Sequence, residues 1–154
     1  MKTQQTIEKP AEIKGRGLFT GEEVAVRFKP APVDAGVVFV RVDGPNSARI
    51  SAHVSNVTKR ARRTSLRNGT LAIETVEHCL SACAGLGIDN LEIELNGDEV
   101  PGLDGSSLPF VRALRGAGVL EQEALRDRYV IPDVVRVVDQ GAELIALPPL
   151  SEED

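Results

Sequence analysis

Apolar and polar residues alternate along much of the first half of the chain, the pattern of strands with one buried face. The clearest case is "EVAVRFK", where Val24, Val26 and Phe28 alternate with other residues and predict a half-buried strand over 22–29. A glycine-marked turn, "GRGLFTG" at 15–21, is expected to join it to an earlier strand. The pattern predicts further strands at residues 3–14, 37–42 and 49–51.

A hairpin and then a helix are predicted next. The segments "RRTSLRN" and "TLAI" flank Asn68-Gly69, a dipeptide favoured in hairpin turns. The apolar period then becomes helical, and four residues form one stripe of a helix from about 75 to 85: Val76, Leu80, Cys83 and Ala84. Gly85 and Gly87 are expected to end this helix.

A second helix is predicted after the alternating strand "NLEIEL", residues 90–95. Ser106 or Ser107 can cap it, Pro109 is tolerated in its first turn, and it is expected to run to about Ala117.

The end of the chain is expected to hold a linker, 118–127, and a hairpin, 128–147, built from "YVIPDVVRVV" and "AELIAL". The whole order is strands, helix, strand, helix, strands. It predicts an α+β fold, a two-layer sandwich with a mostly antiparallel sheet and two principal helices.

The composition is that of an ordinary globular chain of 154 residues, 42% apolar and 27% charged. A net charge of −5 argues against a nucleic-acid partner. The two cysteines, Cys79 and Cys83, lie four apart on one predicted helix; this is poor for a disulfide, favours a reducing cytoplasm, and suits buried apolar roles. No apolar run approaches the roughly 20 residues of a membrane span, and "MKTQQTIEKP" lacks a signal-peptide core.

Glu77 and His78 stand side by side in "LAIETVEHCL", residues 71–80, at the start of the predicted first helix. If Thr75 is the N-cap, both lie in the first turn, where unpaired N–H groups and the helix dipole favour negative charge. An imidazole can bind zinc and a carboxylate can act as a general base. First-turn carboxylates are also common without any catalytic role, and Ala82 stands where a metalloprotease helix carries its second ligand.

Longer motifs carry a resemblance to a known family. Three of them occur in the family's order and spacing: "GRGLFTG" (15–21), "TVEHCLSACAGLGIDN" (75–90) and "NGDEVPGLDGSSLPF" (96–110). Together with "PAPVDAGVVF", they resemble the first domain of the zinc-dependent UDP-3-O-acyl-N-acetylglucosamine deacetylases of lipid A biosynthesis, over about residues 5–148. The resemblance implies two similar α+β domains that face each other with the metal between them.

The resemblance also implies roles for individual residues. His78 corresponds to the zinc ligand of the first domain, and Glu77 to the general base that activates water for attack on the acetamide carbonyl. Asp104, in "LDGSS", matches an acidic loop position, and its alternative role is in the turn before the second helix. Other candidate substrate or loop residues are Phe19, Thr20 and Arg60.

Two stretches depart from the family pattern. Phe19 stands in "LFTG" where the family has "LHTG", which removes a polar group near the substrate site. The segment "KRARR", residues 59–63, stands where the family has an apolar loop near the acyl passage, so the resemblance leaves the fatty-acyl specificity open. This charged run is expected to be a solvated face, or to meet a diphosphate or the acidic surface of a partner.

The ligand count limits what this chain can do alone, because a catalytic zinc needs three protein ligands. In the family, a His and an Asp on a helix complete the zinc site, and a lysine and a second histidine assist; all four belong to the second domain. The expected divisions are a first domain at 1–120, a linker at 121–127, a hairpin at 128–148 that resembles the start of the second domain, and a polar tail at 149–154.

Three hypotheses follow. The chain is half of a deacetylase that acts on a UDP-sugar derivative with a second-domain protein, or is a truncated form of a longer chain. Alternatively, it is a non-catalytic binding or scaffold domain. The third is a homodimer in which two Glu77 and His78 pairs surround one zinc.

Overall fold

The computed structural model describes residues 2–44 and 47–151 and contains an α+β arrangement of strands and two α-helices. The helices are α1 (Glu77–Leu86) and α2 (Leu108–Ala117). The strands are β1 (Thr3–Ile7), β2 (Ala11–Arg16), β3 (Glu23–Pro30), β4 (Val37–Arg41), β5 (Ala48–Ser51), β6 (Val57–Thr58), β7 (Ser65–Asn68), β8 (Leu71–Glu74), β9 (Leu91–Leu95), β10 (Val119–Leu125), β11 (Val135–Asp139) and β12 (Ala142–Ala146).

The largest sheet has the strand order β2-β3-β9-β4-β5. Its pairs are antiparallel except β4 with β9, which run parallel, so the prediction of a mostly antiparallel sheet is confirmed. The alternation of β3 is also confirmed, because Val24, Val26 and Phe28 are all buried. Phe28 lies opposite Ile93 of β9, which is buried as well.

The two helices share one hydrophobic core with the sheet, which confirms the two-layer sandwich. The buried residues of α2 are Phe110, Leu114 and Ala117. Burial of a large apolar side chain stabilises the fold by about 1.5–3 kcal/mol. Burial of Phe110 and Leu114 therefore helps to hold α2 on the shared core.

The buried face of α1 differs from the predicted stripe. It consists of Val76, Cys79, Ala82 and Cys83, while Leu80 is half-buried and Ala84 is exposed. Nearly every residue of "CLSACAGL" is small or apolar, so periodicity alone could not choose between neighbouring faces. Cys79 and Cys83 are both buried, which confirms the buried apolar role expected of them.

The predicted strand at 3–14 is two strands, because Pro10 has no N–H to continue a ladder. The preceding amides turn away, with Glu8 N–H donating to Gly118 O (3.0 Å) and Lys9 N–H to Ala117 O (3.3 Å). The first of the two strands, β1, pairs with β10. Most of the linker expected at 118–127, or at 121–127 in the division into domains, is instead strand β10; the division into domains itself stays a prediction.

A small sheet, β6-β7-β8, carries the chain to the start of α1. The predicted hairpin is confirmed, but Asn68 pairs with Leu71, so the two turn residues are Gly69 and Thr70. Gly69 has a φ of 58°, which only glycine adopts at little cost.

The final hairpin is also confirmed, as β11 paired with β12, although residues 128–134 form no strand. Apolar residues on both faces of it are exposed, including Val137, Val138 and Ile145. Residues 152–154 of the expected polar tail lie outside the described residues. Among the helices of the described part, none is both long and apolar enough to cross a membrane.

Candidate active site

The start of α1 differs from the prediction at Thr75. The helix begins at Glu77, with Val76 as an N-cap that makes no side-chain capping bond, so Glu77 and His78 occupy the first two helical positions. Thr75 is not the cap: its φ of 60° lies in the left-handed region, which is costly for a β-branched residue. The backbone thus turns sharply before the helix and presents Glu77 and His78 together in its first turn.

Glu99 holds Thr75 in this conformation. The Thr75 hydroxyl donates to Glu99 Oε1 at 3.0 Å, and both side chains are buried. The backbone supports the contact, because Glu74 N–H donates to Asp98 O at 2.7 Å and Val100 N–H to Glu74 O at 3.0 Å. The segment around Glu99 therefore lies alongside the residues that lead into the helix.

The same carboxylate binds the glycine-marked turn. The backbone N–H groups of Phe19 and Thr20 donate to it, at 3.1 and 2.9 Å. Burial opposes the charge, but these amides and the hydroxyls of Thr20 and Thr75 outweigh it and lower the pKa of Glu99. Glu99 is thus an ionised carboxylate with only 3% of its surface exposed.

The turn leaves no space for a side chain at Gly17. A Cβ there would collide with Thr20 Oγ1 and Glu99 Oε2. Gly17 is therefore explained by close approach to a buried carboxylate, Gly15 by close approach to Leu103 and Pro101, and Gly21, with a φ of 69°, by backbone conformation.

The two segments that depart from the family pattern touch each other. The Arg63 guanidinium lies over the Phe19 ring, 4.1 Å from its centroid. Two arginines form ion pairs with Glu74: Arg63 Nε lies 2.6 Å from Glu74 Oε2, and Arg60 Nε lies 3.4 Å from Glu74 Oε1. The Arg63 contact is an ion pair without the geometry of a hydrogen bond. Arg60 itself is exposed, as expected of a solvated charged run.

Glu77 is held by the segment that follows "KRARR". Thr64 N–H donates to Glu77 Oε2 at 3.0 Å, and Thr64 O accepts from Val76 N–H at 3.3 Å. The side chains of Glu77 and His78 are half-buried, so solvent reaches both. Such a carboxylate can take a proton from a nearby water, and such an imidazole can offer a ring nitrogen to a metal.

Asp104 bonds within its own turn. Its Oδ1 accepts from Ser106 N–H at 2.9 Å and from the Ser106 hydroxyl at 2.8 Å, and these bonds lower its pKa. Ser106 Oγ in turn accepts from Leu108 N–H, at 3.1 Å, at the start of α2. These contacts are those of the turn role; a role at the substrate stays a prediction.

The residues that the structure describes do not form a complete zinc site. Across 2–44 and 47–151 there is no group of three or more His, Cys, Asp or Glu side chains that could hold a metal ion. Cys79 and Cys83 face the core, and a hydrogen bond with Cys83 together with burial raises the pKa of the Cys79 thiol, which opposes the thiolate that metals require. His78, half-exposed and next to Glu77, is a donor of the type that zinc prefers, but one such ligand does not complete a site.

Several of these residues were missed by sequence reasoning. Glu99 and Thr64 act at the site through contacts with other segments of the chain, and Arg63, although part of the charged run "KRARR", was not expected to contact Phe19. Glu99 lies 80 positions from Phe19, its backbone partner, and "NGDEVPG" has the composition of an exposed loop. The only signal was Gly17, since closely spaced glycines indicate tight backbone approach.

The structure defines the class of domain: an α+β sandwich with a Glu–His pair in the first turn of a helix that packs on the core. Comparison with known proteins shows the family. The family model described as UDP-3-O-acyl N-acetylglycosamine deacetylase matches residues 4–153. The chain belongs to this family.

The relatives agree with the family model. A UDP-3-O-acyl-N-acetylglucosamine deacetylase of Thioalkalivibrio sulfidiphilus is 49% identical over 87% of this chain and 44% of its own length. That of Teredinibacter turnerae is 43% identical over 94% and 48%, and a bifunctional LpxC/FabZ enzyme of Chlorobaculum tepidum is 40% identical over 94% and 32%. The chain spans about half the length of the single-function relatives that it matches.

Proposed function

We propose that this chain is the first half of a zinc-dependent deacetylase that hydrolyses the acetamide of UDP-3-O-acyl-N-acetylglucosamine. The observation that carries the proposal is the placement of Glu77 and His78 together in the first turn of α1, half-exposed, with one Glu77 oxygen held by Thr64 N–H. Family membership over residues 4–153 supports the reaction class.

In this proposal Glu77 is the general base. Its Oε2 is fixed by Thr64, which leaves Oε1 to take a proton from the water that attacks the acetamide carbonyl carbon. The C–N bond then breaks, the proton passes to the departing amine nitrogen, and acetate is released. Zinc, when bound, supplies Lewis-acid polarisation of the carbonyl.

His78 is proposed as one ligand of that zinc, and the remaining ligands are proposed to come from the second half of the protein. The exposed hairpin β11–β12 supports this division. It shows apolar side chains on both faces, and exposed apolar patches of this kind are typically covered by another domain or partner.

A chimera tests the proposal. This chain replaces the first half of the Thioalkalivibrio sulfidiphilus relative, and acetate release from UDP-3-O-acyl-N-acetylglucosamine is measured against the intact relative. The chimera is expected to be active and the chain alone inactive. Glu77→Gln is expected to lower the rate by about 10²–10⁴-fold, the usual contribution of a general base.

The matched control is Arg67→Leu, a change at an exposed residue of β7. A folded chimera without activity, or one in which Glu77→Gln turns over like the parent, would contradict the proposal. Activity of the chain alone would instead favour the homodimer.

A further inference from the structure

Contacts around the start of α1 close into a ring of six residues. In order around the ring they are Phe19, Glu99, Thr75, Val76, Thr64 and Arg63, and this set is called the contact ring. Glu99 joins the turn at Phe19 to Thr75, and the chain continues from Thr75 to Val76, which bonds Thr64. Arg63, next to Thr64, closes the ring on Phe19.

The contacts of the ring are of unequal strength. Those of Glu99 are buried and charge-assisted, so they are the strong ones. The closing contact is a guanidinium over an aromatic ring with 46% of the Phe19 surface exposed, so it is weaker and easier to perturb without unfolding the protein. Glu74 supports it, because its carboxylate holds the Arg63 side chain in place.

The contact ring has one consequence for the proposed chemistry, which is the position of the Glu77 carboxylate. Thr64 receives its position from Arg63 on one side and from Val76 on the other, and its N–H fixes Glu77 Oε2. A shift of the 59–64 segment would release that oxygen and allow the Glu77 carboxylate to rotate. Reaction rates depend strongly on such orientation.

We infer that the contact ring orients the Glu77 carboxylate, with Glu99 and the Arg63–Phe19 stack as its positioning residues. This rests on the proposed function, in which Glu77 is the base. The inference assigns Phe19 and Arg63 to the geometry of Glu77 rather than to contact with the substrate.

Amide hydrogen exchange of the 154-residue chain tests the contact ring and does not require that the chain be enzymatically active. The readout is the exchange rate of Thr64 N–H relative to that of Ile93 N–H in the centre of the main sheet. Phe19→Leu, which removes the aromatic face, is expected to speed relative Thr64 exchange about two- to fivefold. Phe19→Tyr keeps the aromatic side chain and is expected to retain the parent rate of Thr64 exchange. The control Arg67→Leu is expected to retain it as well.

Glu99→Gln gives a second, stronger perturbation, expected to speed relative Thr64 exchange on the order of tenfold or more because it weakens buried charge-assisted bonds. Unchanged relative Thr64 exchange in Phe19→Leu would overturn the inference even if Glu99→Gln fails to fold. Equal acceleration in Phe19→Tyr and Phe19→Leu would also overturn it, since the aromatic face would then be irrelevant.

Kinetics of the chimera separate positioning from substrate contact. Phe19→Leu is expected to lower kcat more than it changes KM, because a misplaced base slows the chemical step. A raised KM with unchanged kcat would overturn the inference and assign Phe19 to substrate binding. An inactive parent chimera would contradict the proposed function alone, and the exchange measurement would still decide the ring.

Discussion

Replacement of Glu99 by glutamine is a sharp test of the buried carboxylate, because it removes the charge and nearly preserves the shape. The parent side chain accepts from Phe19 N–H, Thr20 N–H and the Thr75 hydroxyl. A glutamine would turn an NH2 donor toward at least one of these donors. Hydrogen bonds to charged groups contribute about 1.5–3 kcal/mol each, so we expect a loss of about 3 kcal/mol in the free energy of unfolding.

The size of the effect in melting temperature follows from the length of the chain. For a domain of about 150 residues, 1 kcal/mol corresponds to about 2–4 °C, so Glu99→Gln is expected to lower Tm by roughly 6–12 °C at neutral pH.

The pH dependence has a definite sign. The folded pKa of Glu99 lies below its ordinary value, because the amides and hydroxyls around it outweigh burial. The stabilisation is therefore complete above the unfolded value of about 4.3 and is lost as the pH falls through the lower folded value. The gap in Tm between parent and Glu99→Gln should stay constant near neutrality and narrow in acid.

Thermal denaturation followed by circular dichroism from neutral pH to about pH 3 measures this gap. Glu22→Gln, an exposed carboxylate of the same turn, is the control and should stay close to the parent throughout. No gap at neutral pH, or a gap that persists undiminished in acid, would refute the account of Glu99.

Other predictions concern packing and the site. Gly17→Ala should destabilise the fold by about 1–3 kcal/mol in chemical denaturation, since its Cβ would overlap Glu99; a stable variant would mean that the turn can move. Leu80→Ala should cost less than Ile93→Ala, for which about 2–5 kcal/mol is expected, because Leu80 is only half-buried; the reverse order would restore the stripe read from the sequence. His78→Ala should leave Tm nearly unchanged because the His78 side chain is half-exposed and lies outside the buried core, and a large drop would make it a structural residue.

The sequence was most informative where burial repeats at short range. The alternation of Val24, Val26 and Phe28 predicts their strand, because every second side chain is buried in the core. The strand β1 was harder to delimit, since Gln4 and Thr6 are polar yet buried. They are satisfied by Asn90, whose Nδ2 donates to Gln4 Oε1 and whose carbonyl accepts from the Thr6 hydroxyl, both at 2.7 Å.

The sequence indicates a candidate site but not the contacts that support it. The adjacent Glu77 and His78 are visible in the motif, as is the glycine-marked turn. The contacts around the helix start are not visible in the motif. Thr64 binds Glu77 and Glu99 binds Thr75, and both come from segments with no periodicity of their own. Thr75 illustrates the limit: a threonine before a helix predicts a cap, but the Glu99 carboxylate draws its hydroxyl away from that role.

Zinc content tests the central claim, that Glu77 and His78 form half of a composite site, most directly. The chain alone, the chimera and its His78→Ala variant are dialysed against a mild chelator, and zinc per protein is measured by mass spectrometry. We expect tightly held, near-stoichiometric zinc in the chimera only, since one ligand is too few and three are required. Near-stoichiometric zinc in the chain alone, or full retention in His78→Ala, would contradict the claim.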